Sequence, residues 1–192
     1  MPMTRDGRRS PARCVPYPKA VPGLTDLERR CVLPFYLTMM GLNALSHDVP
    51  FDALREVARG TTDGEVAELL VSPWRPRVMG AWLASGRTQR LEAALLESLE
   101  TSLGTLTAPP LATVALRGLG AKAVPSLKTY LRLDLEHRWG SASFIAAVLE
   151  RLDATPVGVA IDDQDRRAVD GMLTVARCLA KTEPEVPPDA AT

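Results

Sequence analysis

Between residues 24 and 181 the chain contains no run of alternating β-branched residues long enough to make a strand, and apolar residues recur at three- and four-residue spacing almost throughout. Such a pattern leaves helices as the means of pairing the backbone, so the sequence predicts an all-α domain. Leucine and alanine fill 52 of the 192 positions, and both are strong helix formers. At 46% hydrophobic and 24% charged, the composition matches a globular chain that can bury one core. Residues 1–23 carry Arg5, Arg8, Arg9, Arg13 and Lys19 among five prolines and predict a disordered basic arm. Residues 182–192 combine Glu183, Glu185 and Asp189 with three prolines and predict a disordered acidic tail. One helical domain, 24–181, is expected between them.

Helix starts and stops can be read within that domain. Thr25 with Glu28 and Thr62 with Glu65 have capping-box spacing. Leu27, Cys31, Phe35, Met39 and Leu42 mark the face of a first helix that Pro34 should kink, and a second is expected from Phe51 to Arg59, ending at Gly60. A helix follows over Trp74–Leu83, and the next carries a Leu91, Leu95, Leu99, Leu103 stripe. Asp162, Asp163 and Asp165 stand where acids favour a helix N-terminus, ahead of the last helix. Eight or nine helices result.

Residues 111–131 read as helix, tight turn, helix. Gly118 and Gly120 permit a close approach and a left-handed turn, and Pro125 falls in the first turn of the second helix. The segment resembles a HEAT-like repeat, which implies stacked helix pairs in an α-solenoid or a compact helical array, with Val124, Leu127 and Leu131 facing the preceding helix. A second resemblance is carried by Ser72-Pro-Trp-Arg-Pro-Arg77 and Gly80-Ala-Trp-Leu83, with Val32-Leu-Pro-Phe-Tyr36, Val124, Leu131 and Leu149-Glu-Arg-Leu-Asp153 around them. Over about residues 27–153 the chain resembles an uncharacterised bacterial family of unknown function. That resemblance implies helical repeats and no established chemistry, and Asp134-Leu-Glu-His-Arg-Trp139 departs from its pattern. In size and architecture the chain is also broadly similar to helical-repeat immunity proteins of bacterial toxin systems, an analogy of fold alone.

The formal net charge is zero, so no whole-molecule field draws the chain to nucleic acid or an anionic membrane. No apolar run is long enough to span a bilayer and no secretory leader is apparent, which predicts a cytoplasmic protein without a membrane partner. Cys14, Cys31 and Cys178 are too widely spaced for a zinc or disulfide framework, and His47 and His137 lack the spacing of a helical metal pair. No phosphate-cradling glycine loop is present, so neither metal nor cofactor is expected.

What remains are binding residues. Trp74 and Trp82 lie about 80° apart on an ideal helix, and can flank one surface beside Arg75 and Arg77. The competing reading packs one tryptophan into the core. His137, Arg138 and Trp139, with Asp134 and Glu136, fall in what should be an inter-helix connection, where binding residues collect. The resulting expectation is a non-catalytic helical-repeat module that binds a protein, an immunity-type protein being one case. Two alternatives follow from the same residues. One is a nucleic-acid-binding or base-processing protein using the basic arm with Arg75, Arg77, Arg132 and Arg138, and the other is a small-molecule enzyme with His137 and Glu136 as acid–base partners.

Overall fold

A computed structural model describes residues 23–181. The acidic tail and all of the basic arm except Gly23 lie outside the described residues. These form α1 (Asp26–Cys31), α2 (Tyr36–Met39), α3 (Phe51–Arg59), α4 (Asp63–Val71), α5 (Trp74–Leu83), α6 (Glu92–Thr101), α7 (Ala108–Leu119), α8 (Val124–His137), α9 (Ala142–Glu150) and α10 (Asp163–Ala180). Short 3-10 turns sit at Asn43–Leu45, Ala84–Gly86 and Gly120–Ala123. Since α2 is a single turn, nine helices exceed that length, and the described residues contain no strand.

Local chemistry sets most of these boundaries. Thr25 and Thr62 each accept a hydrogen bond from the backbone N–H three residues on, and Glu28 and Glu65 accept one in return. The start of α10 is a third capping box. Asp162 accepts from the backbone of Gln164 and Asp165 at 2.7 and 2.9 Å, and Asp165 accepts from Asp162 N at 3.1 Å. Pro34 does more than kink the first helix. It lacks an N–H and crowds the carbonyl four residues back, so α1 stops at Cys31 and helix resumes only at Tyr36. The α6 stripe is shorter than expected, because the helix ends at Thr101 and leaves Leu103 72% exposed while Leu91, Leu95 and Leu99 are buried.

Packing bears on the two arrangements that the sequence left open, the solenoid and the compact array. Gly120 (φ 56°) ends α7 in a conformation that L side chains rarely adopt, and the chain then turns away. Instead of pairing chiefly with α7, α8 packs on α6 and α9. The buried helix α7 is held by α5, α6, α9 and α10, and α10 returns to touch α3 and both the Asn43–Leu45 and Ala84–Gly86 turns. In a solenoid each repeat meets only its neighbours. Here the last helix closes on the first third of the chain, and the result is a compact helical array. Leu127 and Leu131 are buried as expected, on a helix that packs on α6 and α9.

A close backbone crossing joins α4 and α5. A Cβ added at Gly80 would lie 2.8 Å from Leu70 N and 3.0 Å from Leu69 C, which are backbone atoms that cannot give way. Gly80→Ala is therefore expected to destabilise the protein by about 1–3 kcal/mol or more. Leu127→Ala, at a fully buried site, is expected to cost about 2–5 kcal/mol. Both are measured by urea unfolding.

Four carboxylates held below their ordinary range, Asp26 among them through its hydrogen bond with Arg29, give the fold a pH dependence. Hydrogen bonds within its capping box hold Glu65 below the usual carboxylate range, those from the Asp165 and Gln164 backbone do the same for Asp162, and Arg166 lowers Glu150. A carboxyl whose folded pKa is depressed contributes stability above its unfolded value and loses it as pH falls through the folded one. The urea midpoint should hold constant down to about pH 5 and fall below about pH 4. The fall is expected to be smaller in Glu150→Gln.

Candidate functional site

The ten-residue helix α5 is enclosed along most of its length. From Val78 to Leu83 every residue is buried, together with Pro76, so only the first turn emerges around Trp74 and Arg75. Trp74 is half-buried. Its ring meets Tyr36 of α2 edge-on, with centroids 5.9 Å apart at 70°. The exposed Arg75 guanidinium lies 4.5 Å from the Trp74 centroid and 5.4 Å from that of Tyr36, a cation over two π faces. These three side chains border a groove of about 310 Å³ between α1–α2 and the start of α5, where Leu24, Val32, Leu33, Pro73 and Pro76 supply an apolar lining.

A second depression opens on the other side of Trp74. It is lined by Pro73, Arg77, Thr101, Leu103 and Thr107, so the exposed Leu103 and Trp74 share one surface. Arg77 is half-buried and donates from Nε to Ser72 O at 3.1 Å, and burial lowers its pKa from the ordinary guanidinium value. The pair Arg75 and Arg77 thus divides, one residue to each side of the tryptophan.

Trp82 follows the competing reading, packed into the core, and does not flank this surface. It is 1% exposed, and its Nε1 donates to Met39 O at 2.7 Å. The reason is enclosure: at this depth in α5 any face of the helix meets α2, α4 or α7. Its indole satisfies a carbonyl left open at the end of α2.

The second predicted group straddles the end of a helix: Asp134, Glu136 and His137 lie on α8, and Arg138 and Trp139 lie in the connection to α9. α8 continues through His137, and Arg138 (φ 54°, ψ 46°) takes the left-handed cap position. Asp134 is buried, and its carboxylate accepts from Gly140 N at 2.9 Å and Ser141 N at 2.8 Å, which fastens the following turn. His137 stacks on Trp139 with centroids 5.2 Å apart, and Trp139 leans on Tyr130 at 5.6 Å. Glu136 pairs with Arg132 at 3.4 Å instead of His137, so the carboxylate–imidazole pair needed for acid–base work is not assembled. Among the described residues no cluster of His, Cys, Asp or Glu could hold a metal ion, Cys31 is buried and Cys178 half-buried. No described helix is long and apolar enough to cross a membrane.

The sequence therefore singled out Trp74, Arg75 and Arg77 on the surface that forms, and it missed Tyr36, whose ring completes the aromatic pair. Tyr36 lies 38 positions earlier, and only the packing of α2 on α5 joins them. No known family model, curated protein or solved structure matches the chain. In the fold, the W-R-P-R…A-W-L residues form the helix whose first turn borders this groove.

The two tryptophans should separate on mutation. Trp82→Ala is expected to cost about 3–5 kcal/mol, the loss of a fully buried indole and its hydrogen bond. Trp74→Ala should cost roughly 1–2 kcal/mol, from partial burial alone. Urea unfolding followed by circular dichroism measures both.

Proposed function

We propose that this chain is a non-catalytic, all-helical protein-binding module that takes an extended, proline-containing segment of a partner protein into the groove between α1–α2 and α5. One observation carries the reading: Arg75 lies over both Trp74 and Tyr36 at the mouth of an apolar groove. Tryptophan, tyrosine and arginine are the residues enriched at binding hot spots. Grooves lined by aromatic rings favour polyproline II segments, because such segments arrive already extended and lose little entropy on docking. The neighbouring depression around Leu103 extends the same surface beyond Trp74. Neutralisation of a toxin falls within this class of role.

The test is selection from a displayed random-peptide library, followed by affinity measurement on synthetic peptides. Enrichment of proline-containing sequences is expected. Trp74→Ala should weaken the selected peptides by at least about thirtyfold, the 2 kcal/mol of a hot spot. Arg132→Gln on α8 should bind as wild type does. A library that yields no enriched sequence, or peptides that bind Trp74→Ala equally well, would overturn the reading.

A further inference from the structure

The opposite end of α5 opens on a different chemistry. α3, the Ala84–Gly86 turn and the end of α10 enclose a cleft of about 240 Å³ whose apolar floor includes Leu54, Ala58, Leu83 and Leu179. Arg55, Arg59, Arg87, Arg90 and Lys181 line the same cleft. A wider cleft of about 650 Å³ adjoins it, with Arg117 and Arg177 beside Ser85, Thr88 and Gln89. Gly86, Arg87 and Arg90 belong to both, so the two are one trough, and among the described residues neither lining contains an aspartate or glutamate.

Several of these cations are fixed in place by the main chain. Arg87 donates to Ala58 O and to Thr61 O, which ties off the end of α3, and pairs with Asp63 at 3.1 Å. Arg55 donates from Nε to Cys178 O at 2.9 Å and pairs with the exposed Asp52, and Arg117 donates to Ser85 O at 2.7 Å. Arg90 shares Asp63. Arg59 and Arg177 are exposed and form no ion pair among the described residues. Among the described residues, six arginines thus meet only two carboxylates, Asp52 and Asp63, which leaves an excess of four positive charges there in a chain of net charge zero.

Concentrating like charge in a concave surface is unfavourable unless an anion offsets it, and such a cleft focuses its field on that anion. Guanidinium groups match phosphate oxygens by paired hydrogen bonds. A single carboxylate would offset one charge of the four, whereas a triphosphate carries about −4, a second charge residing on its terminal group. A nucleic-acid strand fits less well. Strand-binding grooves stack bases on exposed aromatic rings, and among the described residues the only aromatic lining either cleft is Trp82, 1% exposed. We propose that this trough is a binding site for a compact polyphosphate, free or carried by a nucleoside. The phosphates sit on the arginines of the wide cleft, and the apolar floor of the narrow one is free to take a nucleoside body.

The experiment uses the full chain at low ionic strength without divalent cations. Binding of ATP carrying a fluorescent ribose label is measured directly, with inorganic tripolyphosphate and a 20-nucleotide oligothymidylate as competitors. Labelled ATP is expected to bind and tripolyphosphate to displace it. Equal affinity would assign recognition to the phosphates alone, and tighter binding of ATP would add the apolar floor. The double variant Arg59→Gln/Arg177→Gln should weaken ATP at least about tenfold, with its circular dichroism spectrum unchanged. Lys128→Gln, an exposed cation on α8 outside both clefts, should remain within about twofold of wild type. No binding of ATP or tripolyphosphate, wild-type affinity in the double variant, or binding of the oligothymidylate alone would overturn the proposal.

Discussion

The contact of α4 with α5 at Gly80 governs how the rest of the molecule is arranged. With no side chain there, the backbone of Leu69 and Leu70 comes to within reach of a Cβ, and α5 sinks to a depth at which α2, α4 and α7 cover it together. Burial along its middle is then complete, and Trp82 must find a polar partner inside the protein. It finds the carbonyl of Met39. That bond in turn seats α2, and with it Tyr36, against the first turn of α5. Ten residues of helix span about 15 Å, so a helix buried in its middle can present chemistry only at its two ends.

Those ends differ because different neighbours reach them. At the N-terminal end the chain supplies rings, prolines and one stacked arginine, and the surface suits an extended apolar segment. At the C-terminal end α3, α7 and α10 each contribute arginines near their own C-termini, including Arg59, Arg117 and Arg177. Cations are favoured there by the helix dipole. Three helix ends converging on the Ala84–Gly86 turn therefore concentrate positive charge without any basic run in the sequence. The return of α10 to α3 is what closes this trough.

Several boundaries were legible because local chemistry alone decides them. Thr25–Glu28 and Thr62–Glu65 form their capping boxes within four residues, and α3 spans Phe51–Arg59 as read, since apolar spacing and Gly60 suffice to place it. The reading failed where a turn contact or packing intervenes. His137 was placed in a connection, but Asp134 turns its carboxylate to the backbone of Gly140 and Ser141, α8 runs on to His137, and the connection begins only at Arg138. Trp82 was set beside Trp74 on helical spacing, which fixes an angle around an axis and says nothing of what covers each side.

From the sequence alone came the all-α class, several helix starts and stops, and the choice of Trp74 and Arg75 as surface residues, because hydrogen bonding and apolar period act over a few residues. The tertiary structure decided the compact array over the solenoid, the meeting of Tyr36 with Trp74, and the gathering of six arginines from separate segments. Each depends on contacts between residues tens of positions apart. Such contacts follow from how whole helices share a core, and no local pattern records them.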